Sequence, residues 1–215
     1  MKVLIVTSSA NKEGLTAACG EAARQGVVDG KSRARLVNLN EYELLRCAIC
    51  DDGWGTCRTD HRCRLEDSFG ELQKMFEEAE GFAWVTPVYF GDPSETMKAF
   101  FDRFRRCEAT KSKGAKSVVD GKPVVCIAAA GGSGNGAVHC LFEMERLAAQ
   151  LGGAPFDFIP VTQKTREYQI ETIHDALAAM CKPKAAEPTM PISARKGQRR
   201  SRKPRRRIGR RKPTE

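Results

Sequence analysis

Four cysteines lie close together in the sequence, in the spacing C-x2-C-x6-C-x5-C, at Cys47, Cys50, Cys57 and Cys63. Four thiolates within 17 residues can converge on one centre, and both a [4Fe–4S] cluster and a structural Zn²⁺ ion take four thiolates. His61 lies in the same segment and is a further possible ligand, although a solvated loop histidine is the simpler interpretation. The spacing predicts a metal or redox site and leaves cluster, zinc and no metal open.

A polar segment near the start of the chain has the composition of a phosphate cradle. Hydroxyls, an amide and a glycine lead into a helical pattern at Ser8, Ser9, Asn11, Gly14, Leu15 and Thr16. A helix N-terminus offers free N–H groups and a partial positive charge to a phosphate. A simple N-cap is the alternative interpretation.

Two further segments suit a flat aromatic ligand. The second offers a proline-stiffened backbone with two aromatic rings, at Thr86, Pro87, Val88, Tyr89 and Phe90. The third begins at Gly131, Gly132 and Ser133 and has four glycines in six residues, which allows close backbone approach. A strand end with core aromatics and a flexible turn are the respective alternatives.

The elements that position these segments alternate regularly. Apolar runs predict five strands, at residues 2–7, 34–39, 81–86, 122–130 and 156–161. Helical periodicity predicts helices at 15–28, 67–80, 94–108, 137–151 and 166–180, with a long loop over 40–65. Alternation of this kind predicts a doubly wound parallel α/β sheet with helices on both faces. Its carboxyl edge would carry the three candidate loops.

Composition divides the chain of 215 residues in two. Its net charge of +9 comes from the end, because residues 1–186 are nearly neutral and 187–215 hold 12 Lys and Arg against 2 acidic residues. We therefore predict a folded domain over 1–182 and a disordered basic tail over 183–215. The nine cysteines, the lack of a secretory leader pattern and the lack of a long apolar run predict a cytoplasmic protein without disulfides.

These motifs together carry a family resemblance. Residues 1 to about 180 resemble the flavodoxin-like NADPH-dependent FMN reductase superfamily, and within it the iron–sulfur flavoprotein branch. The resemblance implies that the first loop holds the FMN phosphate, that residues 87–90 line the isoalloxazine, and that residues 131–133 close its other side. It also implies a cluster on the four cysteines. Lys98, Asp102 and Arg103 match the helix after the flavin loop, which predicts structural pairing near a subunit interface.

The activity implied is that of an FMN-dependent NAD(P)H oxidoreductase. Hydride would pass from NAD(P)H to flavin N5 and electrons would go on to a small acceptor or an electron-carrier protein, with the cluster as a possible relay. The resemblance also implies a homodimer or homotetramer. A flavodoxin-type electron carrier without turnover of its own is one alternative. A nucleic-acid-associated protein that acts through the basic tail is another.

Overall fold

The three central strands of the sheet are buried on both faces, and this decides how the layers are arranged. In the computed structural model, which describes residues 1–111 and 115–182, Val3 and Ile5 pack into one apolar cluster while Leu4 and Val6 pack into a second. Since neighbouring side chains of a strand point to opposite faces, the sheet needs a helical layer on each side.

Within the described residues, six strands form one sheet. They are β1 (Lys2–Thr7), β2 (Arg33–Asn38), β3 (Gly81–Tyr89), β4 (Asp92–Pro93), β5 (Pro123–Ala130) and β6 (Ala154–Thr162). Five of them are parallel in the order β2-β1-β3-β5-β6, and β4 pairs antiparallel with β3. The doubly wound parallel sheet is thus confirmed, but the strand count is six rather than five. A two-residue strand has no periodicity by which the sequence could reveal it.

The third strand runs past its proline, contrary to the prediction that it ends at residue 86. Pro87 still lies opposite Ala129 of β5. Val88 and Tyr89 then pair with β4. The strand therefore continues as one arm of a short hairpin, where the sequence predicted a short loop after residue 86.

The helices form two layers. They are α1 (Leu15–Asp29), α2 (Thr56–Thr59), α3 (Phe69–Glu78), α4 (Glu95–Glu108), α5 (Ala137–Gln150) and α6 (Arg166–Met180). Helices α1 and α6 cover one face of the sheet, and α3, α4 and α5 cover the other. A Cβ on Gly26 would lie 2.2 Å from the carbonyl oxygen of His174, so the close contact of α1 with α6 requires glycine there.

Aromatic packing fixes α3 and α4 on the sheet. The ring centroid of Phe76 lies 5.1 Å from those of Phe82 and Phe100 and 4.5 Å from that of Phe104. The predicted long loop connects β2 to α3 and contains only a 3-10 turn (Leu39–Glu41) and α2. Helices α3 and α4 thus form the rigid support against which this cysteine-bearing loop rests.

Two further observations bear on the predictions. None of the helices in the described part of the chain is long and apolar enough to cross a membrane. The predicted basic tail, 183–215, lies outside the described residues.

Candidate functional site

The first loop ends at a helix whose N-terminus has no side-chain cap. Gly14 precedes α1, and among the residues that the structure describes no side chain accepts a hydrogen bond from the first turn of this helix. Leu15 and Thr16 open the helix, and their N–H groups have no intrahelical acceptor. The head of α1 therefore has the free donors and the dipole orientation that bind phosphate.

The serines of the first loop face inward. Ser8 Oγ donates to Thr86 Oγ1 at 3.1 Å and accepts from Ser94 Oγ at 2.7 Å. Ser9 Oγ donates to the carbonyl of Asn11, whose own Oδ1 accepts from the backbone N–H two residues further on. These bonds fix the shape of the loop and join it to the second loop. A phosphate at this place would be held by backbone N–H groups more than by serine hydroxyls.

The second loop is the hairpin between β3 and β4. Phe90 and Gly91 both have positive φ, 53° and 88°, as a two-residue type I′ turn requires. Tyr89 is 42% exposed and Phe90 is fully exposed. A bulky residue in the left-handed region is strained, and such strain is concentrated at functional sites.

The second and third loops line one cavity of about 900 Å³. Its volume lies in the range of cofactor pockets. The predicted residues that line it are Val88, Tyr89, Phe90, Gly131, Gly132 and Ser133. The two loops meet at Gly136, where a Cβ would lie 2.7 Å from the Cα of Gly91. The contact brings the aromatic hairpin and the glycine loop together around one space.

The other predicted flavin residues do not line this cavity. Thr86 and Pro87 are buried within β3, and the first loop lies at the head of α1. His139 and Glu95 also line the cavity. Neither residue was predicted from the sequence, because its helical spacing carries no functional signal. Their positions in the first turns of helices that follow two of the candidate loops would have been the available clue.

Substitution of Gly136 tests the contact between the two loops. We expect Gly136→Ala to lower FMN affinity at least tenfold and to destabilise the fold by about 1–3 kcal/mol, since its φ is 81° and its Cβ would meet the Gly91 backbone. Isothermal titration with FMN and thermal denaturation measure the two effects. Gly70→Ala is the control, because a Cβ there meets nothing within 4 Å. Unchanged FMN affinity in Gly136→Ala would contradict the proposal that the contact of Gly136 with Gly91 shapes the ligand cavity.

The four predicted metal-ligating cysteines line a second, smaller cavity. Cys47, Cys50, Cys57 and Cys63 all contribute to its walls, together with Arg103 and Arg106 of α4. The space open to the centre of a water molecule is about 20 Å³, enough for one water. The fold therefore brings the four predicted cysteines to one cavity within the loop.

Left-handed backbone recurs along the cysteine loop. Ile49, Asp51 and His61 have φ of 49°, 49° and 56°, and Gly53 has φ of 97°. A β-branched residue such as isoleucine rarely takes this conformation. Alternation of right- and left-handed residues turns successive N–H groups into an anion-binding concavity, as found at many iron–sulfur sites.

The donor set of four thiols suits either a [4Fe–4S] cluster or a zinc ion, and the shape of the loop does not choose between them. Within residues 1–111 and 115–182, no group of three or more His, Cys, Asp or Glu side chains is placed to hold one metal ion. His61 contacts Thr110 Oγ1 through Nδ1 at 3.2 Å and does not line the cavity.

A buried ion pair lies beside the cysteines. Arg103 and Asp67 have side chains that are 1% and 0% exposed. Burial alone would raise the pKa of Asp67, but the hydrogen bonds from Arg103 and from the Leu45 and Phe69 N–H groups outweigh it and lower the pKa. Arg103 also donates from Nη2 to Cys63 Sγ at 3.3 Å. Arg103 thus packs inward and pairs with Asp67, while the subunit interface expected near it stays a prediction.

The comparison with known families agrees with this geometry. The model of the NADPH-dependent FMN reductase family matches residues 1–159. The chain belongs to this family. The flavodoxin-like sheet of this FMN reductase family member thus has its candidate ligand loops at the carboxyl edge, where such folds bind mononucleotides.

Individual relatives and structures add detail. An iron–sulfur flavoprotein of Methanocaldococcus jannaschii is 30% identical over 105 residues, which cover 49% of this chain and 52% of the relative. The chain spans about half the length of the curated relatives that it matches. An NAD(P)H:quinone oxidoreductase from Methanothermobacter marburgensis is similar in structure, with TM-score 0.63 and 13% identity, covering 85% of this chain and 98% of that one. A flavodoxin from the domain Archaea has TM-score 0.55 and 14% identity, with 84% and 96% covered. At these identities the likeness in structure concerns the fold.

Proposed function

We propose that this protein is an FMN-dependent oxidoreductase that takes hydride from NAD(P)H and passes the electrons to a second acceptor. The observation that carries the proposal is the cavity of about 900 Å³ between the aromatic hairpin and the glycine loop. It lies at the carboxyl edge of a sheet whose family is named for the reduction of FMN with NADPH. An aromatic wall facing a glycine wall suits a flat ring.

The residues of the chain would hold FMN in three places. The N–H groups at the head of α1 would receive the phosphate, while Tyr89 and the residues around it would line one side of the isoalloxazine. Gly131, Gly132 and Ser133 would line the other. A Cβ on Gly132 would meet none of the described residues within 4 Å, so space for a ring remains beside it. Bound FMN supplies hydride acceptance and onward electron transfer, and the protein supplies orientation and exclusion of water.

The cysteine loop extends the proposal. We propose that Cys47, Cys50, Cys57 and Cys63 bind a [4Fe–4S] cluster that exchanges electrons with the flavin. Support comes from the shared cavity, the left-handed backbone and the Arg103 contact with Cys63. Several relatives carry the name iron–sulfur flavoprotein. A small molecule or an electron-carrier protein would complete the reaction.

Assembly and the tail are further parts of the proposal. A homodimer or homotetramer would cover large apolar side chains that are exposed on and beside the flavin cavity, at Phe90, Val138 and Phe142. The basic segment 183–215 would make weak contact with nucleic acid.

The visible spectrum of anaerobically purified protein tests the proposed function. We expect a flavin spectrum that bleaches on addition of NADPH, with a broad additional absorbance and bound iron if the cluster is present. Steady NADPH consumption with a quinone or free flavin would distinguish an enzyme from a flavodoxin-type carrier. A protein that stays colourless after FMN is added would contradict the proposal.

Deletion of residues 183–215 separates the oxidoreductase from the nucleic-acid hypothesis. We expect the truncated protein to keep FMN and its NADPH oxidation rate within about twofold, since the candidate loops all lie in residues 1–182. Binding to a fluorescent single-stranded oligonucleotide should fall and lose its salt dependence. Loss of NADPH oxidation with the tail would contradict the assignment of the activity to the body.

A further inference from the structure

We propose that Arg103 is a positioning residue of the cysteine site. It would fix the two ends of the cysteine loop and give the Cys63 sulfur a charged hydrogen-bond donor, which raises the reduction potential of the bound cluster. The statement about potential rests on the proposed function, whereas the statement about the loop does not. The proposal comes from the contacts of one side chain that the flavin site does not use.

The first step is the closure of the loop. Leu45 lies two residues before Cys47, and Asp67 lies four residues after Cys63. The Leu45 N–H donates to Asp67 Oδ2 at 2.8 Å, and Arg103 donates to the Leu45 carbonyl at 2.9 Å and to Asp67 Oδ1 at 2.8 Å. One guanidinium therefore joins both ends of the loop. Because the side chains are buried, water competes little for these bonds.

The second step is the contact with sulfur. Arg103 Nη2 lies 3.3 Å from Cys63 Sγ, and Arg103 lines the cavity. Its Nε finds no acceptor in the part of the chain that the structure describes, so one buried donor is left over beside the cysteines. A guanidinium stays charged at all ordinary pH values. Hydrogen bonds to cluster sulfurs and nearby positive charge are among the factors that set cluster potentials.

The neighbouring arginine provides a comparison. Arg106 lines the same cavity, but it donates to the Gly53 carbonyl and its guanidinium lies 4.8 Å from the ring centroid of Trp54. Arg103 thus has the sulfur contact that Arg106 lacks. The contact is specific to one position of α4 and does not follow from general basicity of the helix.

Three variants test the proposal. Arg103→Lys keeps the positive charge but loses the planar guanidinium that bonds several acceptors at once. Arg103→Met combined with Asp67→Asn removes both charges without leaving either one buried and unpaired. Arg105→Met is the control on the same helix, because Arg105 lies along the groove with α5 and not along the cysteine cavity. Hydrogen–deuterium exchange of residues 45–67 is measured without iron, and the midpoint potential is measured after reconstitution with iron and sulfide.

The expected results differ between the variants. In the double variant, exchange of the loop amides rises at least tenfold. The equilibrium constant for reduction of its cluster falls at least tenfold. For a one-electron couple this is a fall in midpoint potential of about 59 mV or more. Arg103→Lys also speeds exchange but recovers more than half of the lost potential, and Arg105→Met resembles the unaltered protein in both measurements.

Each contrary result has one meaning. Unchanged exchange in the double variant would overturn loop closure by Arg103. An unchanged potential would overturn the role of the sulfur contact. If the unaltered protein binds no iron, the cluster part of the proposed function and the inference on potential are both refuted. The exchange data would still decide the closure of the loop.

Discussion

Replacement of Cys47 or Cys63 by serine is expected to abolish iron binding by the reconstituted protein while leaving its FMN content unchanged. A serine hydroxyl is a poor substitute for a thiolate, and the four cysteines line one cavity apart from the flavin cavity. We expect iron and acid-labile sulfide to fall at least about tenfold per chain. Metal analysis and the flavin absorbance of one sample measure both outcomes.

Cys181→Ser is the matched control for these variants. Cys181 is half-buried like the four loop cysteines, but it follows α6 and packs on the opposite face of the sheet. It should leave iron and FMN unchanged. Cys107→Ser is a second comparison, because Cys107 is buried in the core beneath α4 and does not line the cysteine cavity. This variant should therefore keep its iron. One zinc ion per chain in place of iron would contradict the cluster assignment.

Asp67→Ala is expected to destabilise the protein by about 3–5 kcal/mol, because it leaves the Arg103 guanidinium buried without a counter-ion. For a domain of this size the loss corresponds to a fall in Tm of roughly 6–20 °C. Thermal unfolding followed by circular dichroism measures it. Asp102→Ala on α4 is the control, since an exposed carboxylate contributes within about 0.5 kcal/mol. A fall in Tm no larger than that of Asp102→Ala would contradict the importance of the pair.

The same ion pair predicts an acid sensitivity. The pKa of Asp67 is lowered in the folded protein, so the unfolded chain binds more protons than the folded one at acid pH. Its contribution is complete above the ordinary aspartate pKa of about 3.9 and is lost as pH falls below that value. Chemical denaturation between about pH 6 and pH 3 should therefore show a larger loss of stability than in the Asp67→Asn variant, whose remaining loss comes from the other carboxylates. Equal pH dependence in both proteins would contradict this assignment.

The order of the elements was readable from the sequence because it depends on local patterns. Buried parallel strands form near-continuous apolar runs and helices show a 3.6-residue stripe, so the five parallel strands and the five long helices were predicted close to their observed bounds. Since the carboxyl ends of parallel strands share one edge, the grouping of the hairpin and the glycine loop followed from their places in the chain. The clustering of the cysteines also followed, because all four lie within one loop.

Contacts between distant residues were decided only by the tertiary structure. No periodicity reveals that Arg103 meets Asp67, 36 positions earlier, and the helical pattern around Arg103 was equally consistent with a surface position. The inward turn of Ser8, the β4 hairpin and the meeting of Gly136 with Gly91 likewise depend on how loops pack against each other. The sequence by itself determined which segments lie at the edge of the sheet. The packing of α4 and the loops determined which side chains remain free to bind a ligand, because a hydroxyl or guanidinium finds its partner only after the elements have docked.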